Sequence, residues 1–163
     1  MRWSLSWRAD PLVVPLADRH YNRHAPGADQ FVPPGRCLVL RTPEASAFWV
    51  TSWQAHVSHR WPGAWVCSAF RNEGADLSSA LIIEAVACTR WRWPDVPALG
   101  MVTFVNARKV RPKRDPGRCF RRAGFEHVGF TKDVGLYVLQ LLPDAMPDAE
   151  PPIGAPLVLG GVA

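Results

Sequence analysis

The sequence predicts one mixed α/β domain with a largely antiparallel sheet flanked by helices. Its 163 residues are 48% hydrophobic, which suffices for a single core without covalent cross-links. Segments with strand character are interrupted by helical ones, and the long helix falls between strands, as a crossover does. We expect this domain to span residues 1–142. Residues 143–163 are rich in Pro, Ala and Gly, which favours a flexible or loosely docked tail.

The first half of the chain predicts a short helix, a hairpin and a third strand. PLADRHYNRH, residues 15–24, suits a short helix, and the following APG ends it. Residues 37–41 and 47–53 have strand composition and are joined by the turn TPEA, which indicates a hairpin. Residues 65–71 predict the next strand.

The second half begins with the long helix. Asp76 is a plausible cap, and Pro94 ends the helix. The apolar residues on one face of this helix are three or four positions apart, namely Leu77, Leu81, Ala85 and Cys88. Strand candidates follow at residues 100–107 and 125–131, and a last strand completes the order.

A short basic helix is predicted between these two strand candidates. Asp115 supplies an N-cap oxygen, and Pro116 suits the first helical position. Gly124 can take the left-handed conformation that ends a helix.

Positive charge is concentrated in residues 108–122. RKVRPKRDPGRCFRR carries +7, whereas the whole chain carries +5, so the remainder sums to −2. One dense cationic segment indicates a polyanionic partner, with nucleic acid first among the candidates; a solvated basic loop is the alternative. The predicted nucleic-acid contacts are Arg108, Lys109, Arg111, Lys113, Arg114, Arg118, Arg121 and Arg122.

Cysteine spacing and hydropathy indicate the compartment. The four cysteines are widely separated and form no CxxC pair, which is typical of reduced thiols in a cytoplasmic protein. No apolar run approaches the roughly 20 residues needed to cross a bilayer, so we expect no membrane partner.

Several blocks of the chain carry a resemblance to known families. The element order, with RAGFEHVG after a short helix, resembles the GNAT acyltransferase fold. Residues 16–142 are more narrowly similar to the Mom family of phage DNA-modification proteins, which have a GNAT-like fold. The matching residues are His20 and Tyr21 of DRHYNR, Ser52 and Trp53 at a strand end, Arg71 before the long helix, and Ser78 or Ser79 early in that helix.

Two positions depart from the Mom pattern. Asn106 stands where that family has Asp, which removes a carboxylate that could bind a metal or act as a base. Phe120 stands where it has Tyr, which removes a phenol. An Asn carbonyl can still accept a hydrogen bond from an adenine amine.

The resemblance implies an enzyme that adds a glycinamide-derived group to the exocyclic amine of adenine in double-stranded DNA. It implies a phage-type protein acting in the bacterial cytoplasm, with a homodimer as a further expectation and the donor unidentified. It also implies iron or another divalent transition metal, with His20 as a ligand. The expected catalytic residues are His20, Tyr21, Arg71, Ser78 and Asn106.

Spacing and chemistry leave these roles open. His20 and His24 are four residues apart, so on a helix they would share a face and could bind a metal; structural histidines are the alternative. An enzyme acting on a base amine must extrude the nucleotide and then hold it, by phosphate contacts and by stacking. The pairs Trp61 with Trp65 and Trp91 with Trp93 could stack, although tryptophans are more often in the core.

Two other functions remain. RNEGAD matches an acyl-CoA-binding motif at Arg71 and Gly74, which allows a CoA-dependent GNAT acetyltransferase. Asp76 disfavours acetyl-CoA, because a carboxylate at the helix N-terminus repels a pyrophosphate. Asn106 and Phe120 allow a non-catalytic nucleic-acid-binding protein on a GNAT scaffold.

Overall fold

A seven-stranded sheet forms the centre of the computed structural model, which describes residues 1–109 and 115–156. The elements are β1 (Ser4–Ser6), α1 (Val14–Asp18), β2 (Arg36–Arg41), β3 (Ala47–Trp53), β4 (Trp65–Asn72), α2 (Ser78–Arg92), β5 (Met101–Val105), α3 (Arg118–Arg122), β6 (Glu126–Phe130), β7 (Tyr137–Leu141) and a 3₁₀ helix (Pro143–Ala145). The strand order is β1-β2-β3-β4-β5-β7-β6, and neighbouring strands are antiparallel except β4 and β5. The predicted α/β class, with a GNAT-like, mixed and largely antiparallel sheet, is confirmed.

The helices cover the two faces of the sheet unequally. Leu81 and Ile82 of α2 share one buried cluster with Trp49 and Trp65 of the sheet, and α3 adds to the same cluster. Leu16 of α1 belongs to a smaller cluster on the other face. Each large apolar side chain buried in this way contributes about 1.5–3 kcal/mol. The core therefore lies mainly between the sheet and α2.

The parallel strands β4 and β5 separate after three residue pairs. The pairs are Trp65 with Met101, Val66 with Val102, and Cys67 with Thr103. β4 then continues to Asn72 without further pairing to β5. The sheet divides at this point, and the division opens a cleft between the two strands.

The first helix is shorter than predicted. α1 ends at Asp18, with Arg19 as its C-cap, instead of continuing to residue 24. Beyond it, the ring of His20 bonds to the backbone of β4, which takes the chain off a helical path. The expectation that His20 and His24 share a helical face is therefore wrong, and His24 is exposed.

The start of α3 also differs from prediction. The helix begins at Arg118 with Gly117 as N-cap, and the carboxylate of Asp115 pairs with Arg121. Gly117 has φ 74°, and a Cβ there would lie 2.5 Å from Cδ1 of Leu139, so this start needs a glycine. The predicted end is confirmed, because Gly124 has φ 98° directly after the last turn.

The chain beyond β7 packs against the domain. Met146 is buried, and the Ile153 N–H donates to the Trp3 carbonyl at 2.7 Å. A guanidinium nitrogen of Arg90 on α2 donates to the Pro147 carbonyl at 2.6 Å. Residues 143–156 of the Pro-, Ala- and Gly-rich segment are therefore docked on the domain. Residues 157–163 lie outside the described part.

Candidate functional site

The cleft between β4 and β5 has a volume of about 880 Å³, within the usual range for small-ligand sites. Its walls come from the second half of β4, the end of β5, the first turn of α2, all of α3 except one residue, and the segment after α1. The cleft brings together four of the five predicted catalytic residues: His20, Tyr21, Arg71 and Ser78. The fifth, Asn106, lines a second cavity of about 390 Å³ that shares Tyr21 with the first.

His20 is fixed by hydrogen bonds on both ring nitrogens. Nε2 lies 3.1 Å from the Phe70 carbonyl, which only accepts, so Nε2 carries the proton of the neutral ring. Nδ1 of this ring accepts from the Asn22 backbone N–H at 3.3 Å, and it can bond to the nearby Oδ1 of Asn22 only when the ring is protonated, because that oxygen is also an acceptor. Burial lowers the pKa of His20, while its bonds to Asn22 and Phe70 oppose that shift. At neutral pH the ring is therefore neutral and held in one orientation.

The described residues do not fit a metal site at His20. In the neutral ring Nε2 carries a proton and faces the Phe70 carbonyl, so only Nδ1 has a lone pair, and it accepts from the Asn22 N–H. Within residues 1–109 and 115–156, no group of three or more His, Cys, Asp or Glu side chains could hold an ion.

Tyr21 links His20 to the end of β5. Its ring stacks on His20 with centroids 4.7 Å apart and planes 25° apart. Burial raises the pKa of the phenol, and a hydrogen bond from the Asn106 backbone opposes the rise. The phenol therefore stays protonated at neutral pH and can act as a hydrogen-bond donor.

The Asn106 side chain caps the start of the basic segment. Its Oδ1 accepts from the Arg108 N–H at 3.1 Å. A carboxylate could accept the same bond, so this contact explains an oxygen at position 106 without requiring catalysis.

Glu73 organises the cationic rim of the cleft. Its carboxylate accepts from Arg19 at 2.9 and 2.7 Å and from Nε of Arg71 at 2.6 Å. These bonds lower the pKa of Glu73 to about 2, so it is a poor general base. Two arginines against one carboxylate leave a net positive charge. Arg19, which no motif in the sequence had indicated, thereby joins the site.

The loop before α2 uses its own side chains to bind its amides. Oδ1 of Asn72 accepts from the N–H groups of Gly74 and Ala75, at 3.1 and 2.9 Å. Asp76 accepts from the Leu77 N–H at 2.6 Å and pairs with Arg2. A pyrophosphate would have to displace these bonds, so the loop disfavours CoA.

Ser78 opens α2 on the wall of the cleft. Its Oγ accepts from the side-chain amide of Asn72 at 2.9 Å. The hydroxyl keeps its own proton for a further bond, so Ser78 can donate to a ligand in the cleft.

The basic segment reaches the cleft through three of its cations, Lys109, Arg118 and Arg122. Arg108 is exposed and does not line the cleft, and Arg121 pairs with Asp115. The remaining predicted contacts, Arg111, Lys113 and Arg114, lie outside the described residues.

Phe120 and the tryptophans have mainly structural positions. Phe120 is buried and packs against Trp49, Phe70 and Phe125. Two of the four tryptophans considered for stacking are buried in the same core, namely Trp65 and Trp93. Trp61 and Trp91 are partly exposed, and neither lines the cleft.

None of the four cysteines forms a disulfide. Two of them, Cys67 and Cys119, line the cleft. Burial raises the pKa of the Cys67 thiol, which therefore stays protonated and is a weak nucleophile.

Comparison with known proteins gives no further assignment. No family model, curated protein or solved structure matches this chain. In the two described ranges, no helix is long and apolar enough to cross a membrane.

Proposed function

We propose that this protein is a Mom-like enzyme that receives an adenine extruded from double-stranded DNA and modifies its exocyclic amine. The observation that carries the proposal is the cleft itself. It joins His20 and Tyr21 on one wall to the cations Lys109, Arg118 and Arg122 on another. A neutral, hydrogen-bonding pocket beside phosphate-binding cations is what an extruded base requires.

The charge at the rim supports a phosphate-bearing partner. Arg118 and Arg122 have no ion pair among the described residues, and the Arg19, Arg71 and Glu73 group adds net positive charge. Cations that converge on a low-dielectric cleft raise the local concentration of an anionic ligand. The DNA backbone would then run along α3.

As the amine nitrogen bonds to the transferred group, the bond between that group and its carrier breaks, and the carrier leaves with the electron pair. The amine proton must pass to a base on the protein. Burial raises the pKa of Tyr21 and Cys67, whereas it lowers that of His20. In this proposal the proton passes to His20, and the resulting cation donates from Nε2 to the Phe70 carbonyl and from Nδ1 to Oδ1 of Asn22. Tyr21 and Ser78 donate hydrogen bonds that orient the base. The donor of the transferred group is not assigned.

Mass spectrometry of nucleosides from bacteria that express the chain tests the proposal. We expect a new adenine-derived mass that disappears with His20→Ala and with Tyr21→Phe. His56→Ala is the matched control for His20→Ala, because His56 is exposed and lines neither cavity. Thermal unfolding of each variant checks the fold. Unaltered nucleosides in cells that contain folded protein would contradict the enzymatic proposal.

DNA binding is measured separately as a function of salt. Arg118→Gln and Arg122→Gln should each weaken binding and reduce the slope of log K against log salt by about 0.9 for each phosphate that is no longer neutralised. Arg92→Gln is the control, because Arg92 is exposed at the opposite end of α2.

A binding-only function is the second candidate. Phe120 is part of the core, and Asn106 uses its side-chain oxygen to cap a turn, so neither supplies the acid or base found at the matching Mom positions. Salt-dependent DNA binding with unmodified nucleosides would select this candidate.

A further inference from the structure

An exposed group of three aromatic rings lies on the hairpin formed by β6 and β7. His127, Phe130 and Tyr137, here called the aromatic trio, have ring centroids 4.9 to 5.0 Å apart. Phe130 is 53% exposed and His127 is exposed, while Tyr137 packs against the edge of the core. The trio lies outside both cavities described above.

A β-bulge creates the aromatic trio. His127 pairs with Leu139 and Phe130 pairs with Tyr137, while Val128 has no partner in the register. Residues three apart on a regular strand point to opposite faces. The extra residue brings His127 and Phe130 to the same face. The bulge thus builds a continuous aromatic surface that a regular strand could not form.

The aromatic trio lies beside the cationic helix α3. A Cβ at Gly117, the N-cap of α3, would contact the side chains of Leu139 and Val105. These two residues pair directly with His127 and Tyr137 of the trio. Residues paired across two strands point to the same face, so α3 and the aromatic trio lie on the same side of the sheet. Along the sheet they are separated by about one strand spacing, roughly 5 Å.

The chemistry of this surface matches a nucleic-acid strand. Arg118 and Arg122 on α3 are exposed and have no ion pair within the described ranges. Exposed rings beside unpaired cations provide both the stacking and the phosphate contacts that single strands use.

The hairpin is less suited to adding a strand from a second copy. β6 is the edge strand of the sheet, and a flat edge can pair with another chain. The bulge between His127 and Gly129 breaks the regular pattern of that edge. The exposed surface is therefore the face of the hairpin rather than its edge.

We propose that the aromatic trio stacks an unpaired nucleobase of a strand whose phosphates contact Arg118 and Arg122. The inference rests on the proposed function, because extrusion of an adenine from double-stranded DNA leaves the opposite base unpaired. It adds a second base-contacting surface, outside the cleft.

The test uses a short single-stranded thymidine oligomer with one 2-aminopurine, whose fluorescence falls on stacking. We expect the wild-type protein to quench it. Phe130→Leu should abolish the quenching and weaken binding at least about fivefold, with an unchanged salt slope. Phe130→Tyr keeps a ring and should behave like the wild type. Leu142→Ala removes a similarly exposed apolar side chain and is the control.

The outcomes separate the two proposals. If the wild type binds in a salt-dependent manner and Phe130→Leu binds and quenches equally, the stacking role is overturned and the proposed function stands. If the wild type binds double-stranded DNA but not this oligomer, the stacking role alone is overturned; if it binds neither, both proposals are overturned. If Phe130→Leu changes only self-association in light scattering, the aromatic trio is an interface between copies, which overturns the inference.

Discussion

Replacing Glu73 with Gln removes the carboxylate that holds two arginines at the rim of the cleft. Glu73 accepts three hydrogen bonds from Arg19 and Arg71, which lower its pKa from 4.5 to about 2. The amide of Gln carries no charge and can accept at only one oxygen. Both guanidinium groups would therefore lose their ionic partner.

The size of the effect follows from the pKa and the exposure of the group. A depression of this size corresponds to at most about 3 kcal/mol of stability. The Glu73 side chain is 31% exposed and that of Arg19 is 51% exposed, so screening by water reduces the contribution to about 1 kcal/mol. Because the folded-state pKa is depressed, this stability is present above pH 4.5 and is lost as the pH falls towards 2.

Urea unfolding at about pH 7 and about pH 3 measures this contribution. We expect Glu73→Gln to be less stable than the wild type by about 1 kcal/mol at neutral pH, and by less than half of that near pH 3. Glu44→Gln is the control, because Glu44 is exposed and has no ion pair in the described part of the chain. An equal loss at both pH values, or an equal loss in the control, would refute the proposed ion-pair group.

Three further predictions test other parts of the structure. Asn106→Asp should leave stability within about 0.5 kcal/mol, because the carboxylate keeps the turn cap, and should raise the yield of modified nucleoside; a lower yield would mean that the site requires the amide. Gly117→Ala should cost at least about 1 kcal/mol, since its φ is 74° and its Cβ would overlap Leu139; an unchanged urea midpoint would contradict this packing. Trp3→Phe should cost about 1 kcal/mol more than Trp65→Phe, because only Trp3 has a partner for its indole N–H, and equal losses in urea would argue against that difference.

The sequence predicts those elements whose hydrophobic pattern extends over many consecutive residues. The helix α2 and the hairpin of β2 and β3 have clear periodicity and turn residues, and both form close to the predicted positions. β1 could not be predicted, because its three residues are too few to show an alternating pattern. Its strand conformation comes from pairing with β2, which is a tertiary contact.

The sequence predicts which residues line the cleft better than it predicts the hydrogen bonds between them. His20, Tyr21 and Arg71 were expected to lie together, and all three line the cleft. The link between Arg19 and Glu73 joins residues 54 positions apart, and nothing in their local sequence indicates it. The helix predicted through His20 failed because hydrogen bonds to β4 outweigh a weak local preference for helix.

At the bulge in β6, the presence of a residue matters more than the identity of its side chain. Val128 is the extra residue, so exchanging it for another side chain leaves the register of the hairpin intact. Deleting it would restore a regular strand with the same pairs, so His127 and Phe130 would still share a face, but the exposed edge would be straightened. In evolution, loss of this single codon would therefore keep the aromatic trio but create a site of aggregation, whereas point mutations there would be nearly silent.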